Sequence, residues 1–116
     1  MSVVSDLGNL SMPALDWQKA DPERYFFQLR DQWLAERGPT SLMSRMALHP
    51  AYQQIIGMGP QALPFIFREL EQKPGHWFWA LRAITGVDPV PQEIKGNIRE
   101  EAKCWLQWGR DRGYRW

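Results

Sequence analysis

Cysteine is almost missing from this chain: Cys104 is the single one in 116 residues. That excludes an internal disulfide framework and fits a reducing compartment. Long apolar runs are missing too, since no stretch approaches the roughly 20 residues of a membrane span. The opening "MSVVSDLGNLSMPALDW" has neither a basic region nor a continuous apolar region, so it does not read as a signal peptide. Together these absences set the expectation of a soluble, cytoplasmic protein. Charge of one sign is also lacking: 14 basic residues face 13 acidic ones, a net charge of +1. That balance does not mark a dedicated nucleic-acid binder, although it leaves room for a local patch.

Ligand spacing is the next absence. The strongest candidate metal ligands are His49, His76 and Cys104, and none falls in a CxxC, HxxxH or HExxH pattern. His49 precedes a proline at a helix start, where a capping role is expected, and His76 stands in a similar place. The stretch "GMGPQA" puts two glycines before a helix but lacks the Lys and the Ser or Thr of a phosphate loop, so it reads as a helix joint. No catalytic dyad is indicated. The chain is therefore expected to be no enzyme and to need neither metal nor cofactor.

What is present is apolar and aromatic: 44% of residues are hydrophobic and seven are Trp. Such a chain can bury a core, and its length suggests one domain. Residues 1–20 show no sustained period. Gly8, Ser11 and Pro13 interrupt them, while Val3, Val4, Leu7, Leu10, Leu15 and Trp17 are scattered. They read as an irregular arm that packs on its own domain or on a partner. Residues 21–116 read as a helical domain.

Its first helix is "DPERYFFQLRDQWLAERG", with Asp21 as N-cap, Pro22 at the first position and Gly38 past the end. Tyr25, Phe26, Leu29, Trp33 and Leu34 make its apolar stripe. "TSLMSRMALHP" suggests a short helix with Leu42, Met43 and Met46 inward. Pro50 opens another helix that Gly57 ends. In "PQALPFIFRELEQ" the inner face is Leu63, Ile66, Phe67 and Leu70, and Pro64 predicts a bend.

"GHWFWALRAITG" then sets Trp77, Phe78 and Trp79 side by side. Trp77, Ala80, Leu81 and Ile84 share one helix face. The other faces are apolar as well, which predicts a helix sandwiched between layers on both sides. "VDPVPQEIKG" reads as an extended loop. The last helix, "NIREEAKCWLQWGRDRGY", starts with a capping-box-like Asn97 and Glu100 and buries Ile98, Ala102, Trp105, Leu106 and Gly109. No strand is evident. The reading is all-α, a single compact domain of about five or six helices.

The stretch "IGMGPQALPFIFRELEQKPGHWFWALRAITG", Ile56 to Gly86, resembles one HEAT-type helical hairpin. Gly59, Ala62, Leu63, Pro64 and Ile66 match the Gly-x-x-Ala-Leu-Pro-x-Leu element of that family, and Ala80, Leu81, Ile84 and Gly86 match its second helix. The resemblance implies a HEAT/armadillo-like hairpin covered by capping helices, and a proline-bent first helix. It covers about a quarter of the chain, and no second copy follows at a fixed period. From "HPAYQQIIGMG" to "RGY" the chain is also similar to a widespread group of small bacterial proteins that implies no particular activity. HEAT-type resemblance implies a scaffold for binding macromolecules, and no chemistry.

Two binding surfaces compete in the sequence. Seven Trp exceed what a small core needs, and Trp and Arg dominate interface hot spots. Trp17, Trp79 and Trp116 are expected to be exposed, with Arg82 beside Trp79, as the contact set for another protein or a second copy of the chain. The setting of similar small helical proteins adds the expectation of a binding or neutralising member of a bacterial or phage two-component system, toxin–antitoxin or defence. The alternative is a nucleic-acid-binding accessory protein. From Arg99 onward five cations face three acids, and Arg110, Arg112 and Arg115 interleave with Trp108, Tyr114 and Trp116. Bases stacked on aromatics with arginines on phosphates is a known combination.

Overall fold

The computed structural model describes residues 21–38 and 43–116. Among these residues the chain is all-helical, with no strand and six α-helices. They are α1 Pro22–Glu36, α2 Met43–Ala47, α3 Pro50–Gly57, α4 Leu63–Gln72, α5 Phe78–Thr85 and α6 Ile98–Asp111. Short 3₁₀ turns occupy Gly59–Ala62 and Gln92–Ile94, the second inside the expected extended loop. The expected arm with Trp17 lies outside the described residues, as does Leu42.

The helix starts follow the caps in the sequence. Asp21 accepts the Arg24 N–H at 3.0 Å, and Pro22 occupies the first turn. His49 caps α3: its Nδ1 accepts the Ala51 N–H at 3.0 Å, and its Nε2 lies 2.9 Å from Glu36. With Nδ1 accepting, the ring proton sits on Nε2 and points at the Glu36 carboxylate. Asn97 accepts the Glu100 N–H at 3.2 Å. The returning acid is Glu101, not Glu100: it accepts the Gly96 N–H at 2.8 Å, while Glu100 turns to Lys103.

Pro64 departs from expectation. The chain reaches it through the Gly59–Ala62 3₁₀ turn, and α4 begins only at Leu63. Pro64 thus stands in a first turn, where an N–H has no helical partner to lose. The proline marks a change of helix type rather than a bend inside one helix.

Packing sets the topology. α1 lies along α3, α5 packs on α3, and α4 packs on α6. α4 and α5 share little contact with each other, so the Ile56–Gly86 stretch does not close on itself as a paired hairpin. The reason is Trp77. It is drawn into the α1–α3 pair, with its ring centroid 5.6 Å from Phe26, 5.5 Å from Trp33 and 5.5 Å from Tyr52. α5 follows its tryptophan onto α3.

The core runs through Phe26, Trp33, Tyr52, Ile55, Leu63, Ile66, Phe67, Leu70, Leu81 and Trp105. Two residues expected inside lie outside: Leu34 and Ile98, 44% and 49% exposed. Leu34 sits about 100° round the helix from Trp33, and Phe26, Leu29 and Trp33 already define the inner face. Ile98 is at the very start of α6, beside Gly75 rather than over the core. Met46 is buried as expected and Met43 partly so.

Gly109 is buried midway along the last turns of α6, where a glycine costs helix stability. A Cβ there would stand 2.8 Å from Cε2 of Phe67. The missing side chain is what lets α6 close onto α4. Across the other face of α4, Arg30 pairs with Glu69 at 2.7 Å and Arg68 with Glu23 at 3.1 Å, tying α4 to α1.

Candidate interaction surface

α5 begins without a cap of its own. Trp77 stands at the cap position and offers no side-chain acceptor. Tyr52, from α3, supplies it. Its hydroxyl accepts the Ala80 N–H at 3.1 Å and donates to the His76 carbonyl at 2.9 Å. Burial pushes the Tyr52 phenol well above its usual range, so it remains a donor. Trp77 then stacks on the Tyr52 ring with the planes 7° apart. One hydroxyl satisfies two backbone groups that the core would otherwise strand.

His76 does not cap α5, contrary to expectation. Its ring meets Trp33 edge-on at 5.6 Å, and its Nε2 lies 3.3 Å from Nη1 of Arg37. Arg37 is layered over the Trp33 ring, 5.1 Å from its centroid. Burial lowers the His76 pKa, and the Arg37 and Lys73 charges lower it further. The imidazole is neutral and accepts from Arg37.

The three neighbouring aromatics therefore divide. Trp77 and Phe78 are buried, whereas Trp79 is 37% exposed. Ala83, four residues on, is exposed, and Arg82 is half-buried. Helical spacing gathers Trp79, Arg82 and Ala83 on one face, where they line an open hollow of about 420 Å³. Arg82 has no ion-pair partner among the described residues. The expected second layer over α5 is not found on this face among the described residues. The apolar character there is carried by Trp79 and Ala83.

The C-terminal residues behave differently. Gly113, with φ 86°, ends α6 in a Schellman turn: the Tyr114 N–H bonds to the Gly109 carbonyl and the Gly113 N–H to that of Arg110, both at 3.0 Å. This turn swings the tail back onto α4 and α6. Trp116 lands 4.7 Å from Phe67 and beneath Arg110. It is half-buried, not exposed as the sequence suggested, because Phe67 offers it a face. Tyr114 stacks on Trp108 with planes 19° apart, Arg112 lies 5.0 Å from the Trp108 centroid, and Trp108 itself meets Trp105 edge-on. Arg110 also approaches Glu71 at 3.6 Å. The aromatic faces are thus partly taken by the protein's own rings and arginines. Arg112 and Arg115 remain exposed, and Arg110, Tyr114, Arg115 and Trp116 border a hollow of about 220 Å³.

His49, His76 and Cys104 do not meet, and among the described residues no three His, Cys, Asp or Glu side chains converge. Trp33 donates its indole N–H to the Met46 carbonyl at 2.7 Å, whereas the buried N–H of Trp105 has no partner among the described residues. Sequence reading missed Tyr52 altogether. In "HPAYQQIIG" it shows only core spacing, and nothing local links it to a helix 28 residues on. Among the described residues no helix is long and apolar enough to cross a membrane. No protein-family model, no curated protein and no solved structure matches this chain.

Proposed function

We propose that this protein is a non-enzymatic interaction module that binds another protein through the Trp79–Arg82 face of α5. One observation carries the reading: of the tryptophans among the described residues, Trp79 alone is exposed. An indole 37% exposed at the rim of a hollow, beside a guanidinium with no ion pair among the described residues, has the composition of an interface hot spot. The finer setting is the binding or neutralising member of a bacterial or phage two-component system, acting in the cytoplasm.

The alternative, a nucleic-acid accessory role, draws on Arg112 and Arg115, which are exposed and have no ion pair among the described residues. The internal stacking of Trp108, Tyr114 and Trp116 argues against it, because bases need open rings. A tagged full-length pull-down from the native host separates the two when it is treated with nuclease and washed at low and high salt. Phosphate contacts weaken steeply with salt, and a desolvated aromatic contact does not. The interaction reading expects one stoichiometric protein that survives both treatments and disappears with Trp79→Ala. Nucleic acid in the untreated sample, with everything lost on salt or nuclease, overturns it. His49→Ala and His76→Ala leaving partner capture intact is the further expectation for a protein without catalytic histidines.

A further inference from the structure

α2, Met43–Ala47, has five residues, too few for a helix to hold by itself. Its neighbours keep it in place. The Met46 carbonyl accepts the Trp33 indole N–H at 2.7 Å, and the Ala47 carbonyl accepts the Gln53 side-chain amide at 2.7 Å. Nη1 of Arg37 reaches Met46 Sδ at 3.4 Å and His76 Nε2 at 3.3 Å, so one guanidinium joins the end of α1, α2 and the turn before α5. Between α2 and α3, His49 caps the Ala51 N–H with Nδ1 at 3.0 Å.

Both histidines of this corner act as acceptors. A guanidinium only donates, so His76 accepts at Nε2 and carries its proton on Nδ1. His49 is the opposite tautomer, accepting at Nδ1 and holding its proton on Nε2 against Glu36. An imidazolium has no acceptor left. A proton on His76 Nε2 breaks the Arg37 contact and sets two cations 3.3 Å apart. A proton on His49 Nδ1 removes the α3 cap. Facing the His76 ring are Arg37 from α1 and Lys73 from the end of α4, while Tyr52 of α3 holds the His76 carbonyl. α2 adds the exposed Arg45. Glu36 of α1 is the one acid bonded to either ring among the described residues, and it steadies a charge on His49 without replacing the lost cap.

We propose that the α2 corner is an acid-sensitive latch: protonation of His76 and His49 removes both acceptors, Arg37 leaves the Trp33 ring, and α2 opens together with the start of α3. The packing of α4 on α6 uses none of these bonds and stays closed. The latch does not rest on the Trp79 contact.

The test is amide hydrogen exchange of the full-length protein at pH 7.5 and pH 5, corrected for the intrinsic pH dependence of exchange. Protection of residues 45–52 is expected to fall about tenfold at the lower pH, while α4 and α6 keep theirs. H49N/H76Q retains an acceptor at each place and cannot titrate there, so its protection should be the same at both pH values. Ring nitrogen shifts of the wild type at pH 7.5 should show the proton on Nδ1 in His76 and on Nε2 in His49. Unchanged protection in the wild type, an equal acid loss in H49N/H76Q, loss in all helices together, or the opposite tautomer in either ring overturns the proposal.

Discussion

The start of α5 and the end of α6 have similar ingredients and opposite outcomes. Both set aromatic rings beside arginines within a few residues. At α6 the Schellman turn folds the tail back, and Trp116, Tyr114, Trp108, Arg110 and Arg112 satisfy one another. At α5 no turn folds the chain back, and Trp77 and Trp79, two residues apart and so about 200° round the helix axis, are sent to opposite environments. Aromatic density therefore does not decide which rings are exposed. The path of the backbone beneath them does.

The sharpest way to break that contrast is to remove each tryptophan of the α5 pair. Trp77→Ala should cost about 3–5 kcal/mol of stability, the usual range for emptying a packed aromatic site. Trp79→Ala should cost clearly less, about 1–2 kcal/mol, because more than a third of the side chain is already in solvent. Urea denaturation of both variants reads the difference, and equal losses would mean that Trp79 is part of the core. Next in size is Tyr52→Phe, which keeps the stacked ring but strands the Ala80 N–H and the His76 carbonyl. A loss of about 1–3 kcal/mol is expected. Amide exchange should quicken first at the start of α5.

At the α6 end, Gly109→Ala improves helix propensity by about 1 kcal/mol and drives a methyl into Phe67, at a cost of about 1–3 kcal/mol. Net destabilisation is the expected sign. Phe67→Leu should abolish the penalty, so that Gly109→Ala becomes neutral or stabilising in that background. A thermal-melt double-mutant cycle tests this coupling.

The smallest effect is in pH. His76 has a folded pKa below its unfolded value of about 6.5, through burial and then Arg37 and Lys73. The unfolded chain therefore takes up the proton first. The neutral-histidine contribution is full above about pH 6.5 and is lost as pH falls toward the folded pKa. Stability measured from pH 7 to 5 should fall less steeply in His76→Gln than in the wild type, and parallel curves would rule out this linkage.

The helices themselves were legible wherever punctuation and period agreed. Asp21–Pro22, His49–Pro50 and Asn97 each started the helix they promised, and Leu63, Ile66, Phe67 and Leu70 formed the buried face of α4. Pro64 misled because helix type is invisible to apolar spacing: a 3₁₀ turn and an α-helical turn carry similar patterns over four residues. Trp116 misled because exposure at a terminus depends on whether a turn brings it home, here the one at Gly113. Trp79 and Arg82 were readable as a pair from i, i+3 spacing. What hid Tyr52 is that its hydroxyl serves a helix distant in sequence, and no local pattern encodes a long-range hydrogen bond.

The most direct measurement is equilibrium binding of the captured partner to Trp79→Ala and, in parallel, to the double variant Arg112→Glu/Arg115→Glu, with melting points recorded for both. The account predicts that Trp79→Ala loses at least about 2 kcal/mol of binding, roughly thirtyfold, while its melting point stays well above the assay temperature. The arginine variant should bind within about twofold of the wild type. The reverse pattern, Trp79→Ala binding normally while the arginine variant fails, would contradict the account and move the functional surface to the end of α6.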